Sequence, residues 1–327
     1  MIAIVSAAML ACGSAAESAA ADSVATLFDQ HRFVFMGSTH GDEKVHRFLL
    51  CLLSRPGFQR RVTDVVVEWA SPAHQRLMDR YLLTLDPIPL DSLRLAWFDT
   101  DYPPLWATIP QVPEFFAAVR EINAQVPALK RLRVVGGNEP VTWSTVRTTA
   151  DLAPFPYKNN NTAHLLLEHL APRSEVRVLV VYGIAHVYHD GGTMMASLEE
   201  GMDRDQLFVI GTIHTLREGE RERVARYGNP DQPFFLRAAS FPEEGPRPED
   251  FFYAEKGPLA SHIDAMVYLG PAPDRTLTGT IAFTGPQNTE LARRDAILKD
   301  PRQAMQIRLG GKSRWFEAHP ADFPGRP

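Results

Sequence analysis

Two cysteines in 327 residues, Cys12 and Cys51, are too few for a disulfide framework or for a cysteine-based structural zinc site. Positive charge is also in deficit. The 34 Lys+Arg against 39 Asp+Glu leave a net charge of −5, which is not the balance of a nucleic-acid-binding protein. No apolar run approaches the roughly 20 residues that a bilayer-spanning helix requires. A G-x-S-x-G nucleophile elbow is missing, which disfavours a serine hydrolase. So is C-x-x-C-H, which excludes covalently attached haem. What is present is apolar mass: 45% hydrophobic and 22% charged residues describe an ordinary globular chain with enough material for a sizeable core.

The first residues stand apart from that average. Ile2 to Ala11 is apolar and passes into an Ala/Ser segment whose side chains are too small to pack a core, the pattern of an export signal without its positive start. Two processing readings compete. Ala19-Ala20-Ala21 before Asp22 fits the small-x-small rule and makes residues 1–21 a removed leader, whereas Met9-Leu10-Ala11-Cys12 is a loose lipoprotein box whose cysteine carries lipid and tethers the protein to a membrane. An exported protein, periplasmic or membrane-anchored, is expected, with a cytoplasmic one as the alternative. With Cys12 lipidated or removed, Cys51 within RFLLCLL is alone and reads as a buried small hydrophobe on a helix and not as a nucleophile; Cys12 reads as a lipid anchor and not as half of a bridge.

Further along, short runs rich in Val, Ile, Leu and Phe predict strands at Arg32 to Gly37, Asp64 to Trp69, Leu132 to Gly137, Val176 to Tyr182, Leu207 to Thr212 and Asp264 to Gly270. Continuous apolar runs imply burial on both faces, hence a mostly parallel sheet. Helical patterns lie between them at Glu43 to Ser54, Pro72 to Leu83, Val112 to Asn123, Thr162 to Leu170 and Thr193 to Glu200. The alternation predicts a single α/β domain over residues 22–310, three-layered α/β/α, followed by a tail over 311–327. Two insertions interrupt it: a Pro/aromatic-rich stretch over 85–113 and a charged, Pro-rich one over 218–257.

In open α/β sheets ligands bind outside the carboxyl ends of the strands. His40 follows the first strand, Glu68 ends the second, Asn138 follows the third, His186 and His189 the fourth, and His214 the fifth, so polar groups sort to one rim. Each also has an ordinary reading. His40 caps the following helix, and Asp42 and Glu43 compensate its dipole. His186 and His189, three residues apart, make only a weak metal signal without a third ligand. His46, His74 and His214 read as structural. Glu68, a carboxylate at the end of a buried strand, must be paired, hydrogen-bonded or protonated.

GSTHGDEKVHRF followed by VVVE, and later VLVVYGIAH, resembles the superfamily that joins erythromycin esterases, ChaN-like haem-binding lipoproteins and the Tiki/TraB proteases. The two G-x-x-H motifs, Gly37 to His40 and Gly183 to His186, flank Glu68 in the superfamily's order. THG with an acidic residue three positions after His40 is closest to the esterases. VVVEWASPAHQRLMDRYL, DYPPL (Asp101 to Leu105) and VVGGNEP, with Asn138, lean toward ChaN. The likeness spans Phe33 to Gly201. It departs at Ser38, where the esterase and ChaN branches usually carry Glu, and at YKNNNTAH, where Lys158 stands in the helix in which the esterases have an arginine.

The resemblance implies a hydrolase of esters or amides. His40 is then the general base, Glu68 and Glu43 orient the imidazoles, His186 stabilises the oxyanion or acts as acid, and Asn138, Lys158, Tyr188 and His189 contact a small-molecule or peptide substrate, or a cofactor. Likeness to the Tiki branch implies a variant in which His40, Glu68 and His186 hold a divalent metal. Likeness to ChaN implies the alternative, a haem-binding lipoprotein without catalysis, with Tyr182, Tyr188 or His189 as axial candidates. Trp97, Phe98, Tyr102 and Trp106 wall a macrocycle or a macrolide-sized substrate equally well. A third reading is a scaffold whose site has decayed.

Overall fold

The computed structural model describes residues 12–155, 157–189, 193–213, 220–241, 258–271 and 283–299. His214, residues 218–219 and 242–257 of the second insertion, and the 311–327 tail lie outside the described residues. The strands are β1 (Phe33–Ser38), β2 (Asp64–Val67), β3 (Arg133–Gly136), β4 (Val178–Gly183), β5 (Leu207–Ile213), β6 (Phe234–Arg237) and β7 (Ala265–Tyr268). The principal helices are α1 (Ala15–Leu27), α2 (Glu43–Ser54), α3 (Pro56–Arg61), α4 (Gln75–Leu82), α5 (Gln111–Ala124), α6 (Lys158–His164), α7 (Thr193–Gly201) and α8 (Gly285–Leu298). The fold is α/β of the three-layer class, with a mostly parallel seven-stranded sheet of order β3-β2-β4-β1-β5-β7-β6. Each apolar run became a strand. β6 was hidden because its residues are only half-buried or exposed and carry no continuous apolar signal; it runs antiparallel to β7.

By internal contacts the described residues divide into two compact units, one of those in 66–174 with 283–299, the other of 12–65 with those in 175–271. In the second unit β1 is central: Phe33 pairs with Val178 on one side and Leu207 on the other, both parallel. All its residues are buried, which is why its sequence shows no alternation. Asp42 starts α2 by accepting the Val45 N–H at 3.0 Å, and the helix buries Val45, Phe48, Leu49, Leu52 and Leu53.

Two readings of the N-terminal segment are corrected here, that it packs no core and that Cys12 is not half of a bridge. The Ala/Ser segment is a helix, α1, capped by Ser14 accepting from Glu17 N–H, and Ala20, Ala21, Val24 and Leu27 are buried. Small side chains do not exclude a core; they let α1 lie close against α2 and α3. The cleavage point after Ala21 therefore falls inside a packed helix. Cys12 is disulfide-bonded to Cys51 on α2, so its sulfur has no free valence for lipid. The link closes a loop with a sequence separation of 39. Cys12→Ser is expected to lower the unfolding free energy by about 2–4 kcal/mol, read from urea unfolding with and without reductant. A variant as stable as the oxidised wild type would remove the bridge from the fold.

In the first unit the helix expected over Pro72 to Leu83 is a 3₁₀ turn, Pro72–His74, leading into α4. Arg133 of β3, 1% exposed, forks onto Asp79 of α4 with Nε–Oδ1 at 3.0 Å and a second bond of 2.7 Å. The aromatic insertion is also corrected. Trp97, Phe98 and Trp106 are buried, Trp97 stacking on Phe116 of α5 at 5.3 Å, so these rings fill the core and do not wall a ligand.

α8 docks through Arg294, whose guanidinium lies 4.4 Å from the Phe98 ring centre and donates to Asp99 Oδ1 at 2.9 Å. Arg293 donates to the Val146 and Trp143 carbonyls, and both arginines grip Glu290. The hydrogen bond from Arg293, against a smaller opposing effect of burial and with help from Arg294, holds the Glu290 carboxyl at about 2. Its folded value lies below the ordinary 4.5, so its contribution is complete above pH 4.5 and is lost as the pH falls toward 2. An acid titration followed by tryptophan fluorescence should show a change in this window that Glu290→Gln removes.

Candidate functional site

The expected site residues fall into two clusters, one in each unit. In the second unit the register of β1 with β4 sets Gly37 opposite Tyr182 and Ser38 opposite Gly183, so the two G-x-x-H motifs leave adjacent parallel strands side by side. They interlock. A Cβ on Gly37 would stand 2.0 Å from Ile184 Cδ1 and 3.1 Å from Ile184 Cα. A Cβ on Gly183 would stand 2.9 Å from His40 Cε1, 3.1 Å from His40 Nε2 and 3.3 Å from His186 Cδ2. Each motif's glycine is thus the seat of a side chain from the other, and the two imidazoles meet on the Cα of Gly183. His186 ends the 3₁₀ turn Ile184–His186, with its ring edge-on to Tyr182 at 6.1 Å. Ser38, in place of the expected Glu, donates from Oγ to the Tyr182 carbonyl at 3.2 Å.

Gly183→Ala tests this seat directly. The added methyl requires the His40 ring to move, because a 2.9 Å carbon contact is not sustained. The variant should fold with a loss of about 1–3 kcal/mol, and the His40 ring resonances should shift in its NMR spectrum. Unchanged resonances would dissolve the interlock.

Other expected residues of this unit lie elsewhere. Glu43, the first residue of α2, is exposed and makes no hydrogen bond or ion pair among the described residues, so it does not orient an imidazole. Tyr188 is 4% exposed, with its ring 5.3 Å from that of His262. His189 has Nδ1 2.7 Å from Glu199 Oε1 and Nε2 2.9 Å from Asp264 Oδ2, and Arg204 bonds the other Asp264 oxygen. Burial pushes the Asp264 carboxyl up, but His189, the Val209 N–H and Arg204 together bring it below the ordinary range. Tyr182 is fully buried. None of the three axial candidates therefore presents an open ligand atom to haem in this conformation.

In the first unit Glu68, Asn138 and Lys158 do come together, joined by Asp101 and Tyr157. Lys158 Nζ is 2.6 Å from Glu68 Oε1 and 3.2 Å from Asp101 Oδ2. Asn138 is the hub: its Nδ2 donates to the Glu68 carbonyl at 2.6 Å and to Asp101 Oδ1 at 2.8 Å, and its Oδ1 accepts the N–H groups of Asp101 and Glu139, each at 2.7 Å. Glu139 Oε1 accepts the Lys158 N–H at 3.1 Å, and Asn161 donates to the Asn138 carbonyl at 2.9 Å. Burial opposes the Lys158 charge, but the two carboxylates outweigh it and hold the ammonium well above its usual 10.5. Burial also pushes the Tyr157 phenol up to about 12.

This pairing corrects two readings. Lys158 is not a spare cation awaiting substrate, and the Glu68 carboxylate faces an ammonium. Among the described residues no three His, Cys, Asp or Glu side chains gather as a metal site. Asp101 and Glu139 escaped sequence reasoning as site residues, although DYPPL and NEP stood out as motifs; a lone acidic residue in a loop carries no signal of burial until its partner is known.

No protein-family model matches the chain, and no curated protein matches it. Solved structures similar to it include ChaN of Campylobacter jejuni, described with cofacial haem binding, at 12% identity and a TM-score of 0.41, covering 75% of this chain and 90% of that one. The type III effector HopBA1 is similar at 12% identity and a TM-score of 0.39, covering 74% and 88%. A Bacillus cereus protein is similar at 11% identity and a TM-score of 0.47, covering 80% and 94%.

Proposed function

We propose that the protein is a hydrolase of esters or amides in which His40 and His186 do the proton work. The observation that carries this reading is the meeting of their imidazoles on Gly183, at the carboxyl ends of β1 and β4, where parallel sheets place their reactive groups. His40 takes a proton from water as the water attacks the carbonyl carbon. His186 hydrogen-bonds the developing oxyanion, and the proton on His40 then passes to the leaving alcohol or amine. Glu68 serves structure in this scheme, through Lys158 and Asp101, and Glu43 has no part.

A panel of p-nitrophenyl esters and aminoacyl anilides, run with wild type, His40→Ala and His186→Ala, tests the assignment. Turnover lost in both variants supports it, and turnover retained in either sinks it. Haemin titration separates the alternative: a Soret shift abolished by His189→Ala would favour a haem carrier. We further propose an exported protein, because a structural bridge such as Cys12–Cys51 is characteristic of oxidising compartments. Thiol labelling of cell fractions under denaturing, non-reducing conditions checks this; freely labelled thiols would place the protein in a reducing compartment.

A further inference from the structure

The second unit holds a cleft of about 300 Å³ at the carboxyl end of β7, apart from the Gly183 cluster, lined by Glu17, Lys44, Arg47, Asp231 and the Leu269–Pro271 backbone. Its charges do not cancel once their partners are counted. Glu17 Oε2 accepts the Gly13 N–H and keeps its negative charge, whereas Asp231 is paired with Arg221 at 2.6 Å, so Lys44 and Arg47 face Glu17 alone and the balance is positive. Lys44 donates to the carbonyls of Leu269 and Pro271, which orient the ammonium without neutralising it. Arg47, one turn further along α2, is exposed and makes no hydrogen bond or ion pair among the described residues, which leaves its five-donor fork unspent.

We infer that this cleft binds the oxyanion group, phosphate or carboxylate, of a small molecule, with Arg47 as the fork and Lys44 as a fixed point charge. Both residues lie on the same face of α2, one turn apart, the spacing at which two cations share one oxyanion. Burial, with Arg47 beside it, lowers the Lys44 ammonium below its usual value, which an anion between the two relieves. The volume admits a small metabolite and not a polymer. The inference is independent of the hydrolase reading, because its readout is binding.

Isothermal titration of the full chain with inorganic phosphate and, separately, with glutarate tests it. At least one anion should saturate the wild type, and the tighter of the two identifies the group. Arg47→Ala and Lys44→Gln should each weaken that binding by about tenfold or more, the worth of one charge-assisted hydrogen bond. The exposed Arg60→Ala serves as control and should match wild type. Glutamine keeps a donor for the two carbonyls, and Arg47 is exposed and makes no hydrogen bond or ion pair among the described residues, so both variants should fold. Failure of both anions to bind below about 10 mM, or equal binding by wild type and Arg47→Ala, overturns the proposal.

Discussion

Replacing Lys158 with methionine is expected to lower the stability of the folded protein by about 3–5 kcal/mol, the range for breaking a buried ion pair from one side. Glu68 is fully buried and Asp101 8% exposed, and without the ammonium two carboxylates are left together with no cation. Removing a carboxylate with its cation should cost less, so Lys158→Met/Glu68→Gln should recover part of the loss; the double-mutant cycle measures the coupling. The pH dependence has a definite sign. The folded Lys158 value is raised above 10.5, so its stabilisation is complete below that pH and is lost as the pH climbs through the folded value. The gap between wild type and Lys158→Met in urea unfolding should therefore be constant through neutrality and narrow above pH 10.5. A variant within about 1 kcal/mol of wild type at pH 7 would show that the triad contributes little to stability.

The second large effect is on turnover. His40→Ala should reduce kcat by about 10²–10⁴, the contribution of a positioned general base. Its unfolding midpoint should change little, because His40 is only half-buried and stands at the sheet rim. Glu43→Ala supplies the contrast: an exposed side chain without a described partner should leave kcat unchanged, although it stands three residues away in the sequence. Equal losses in the two variants would point to a general perturbation of the 38–43 turn and not to a base.

Legibility differed between the two clusters for a physical reason. The G-x-x-H pair was readable because a steric requirement leaves a residue-type signature: only glycine admits Ile184 over Gly37 and His40 over Gly183. Glu68 was readable as a buried carboxylate in need of a partner, but the identity of that partner was not. Lys158 and Asp101 lie far from it along the chain, and nothing local in YKNNNTAH or DYPPL says that their charges are spent on each other. The Trp97 insertion misled for the same reason, since an aromatic-rich loop reads alike whether its rings face a ligand or the core.

By itself the sequence determined the strands that bury both faces, the helix positions between them, and the rim to which the polar residues sort, because periodicity and apolar content are local. Only the tertiary structure decided that the Ala-rich start is a packed helix, that Cys12 finds Cys51, that Lys158 is neutralised from within and that Arg47 is not. Those outcomes depend on which distant side chains the fold brings within a few ångströms, and charge and sulfur act over that distance, not along the chain.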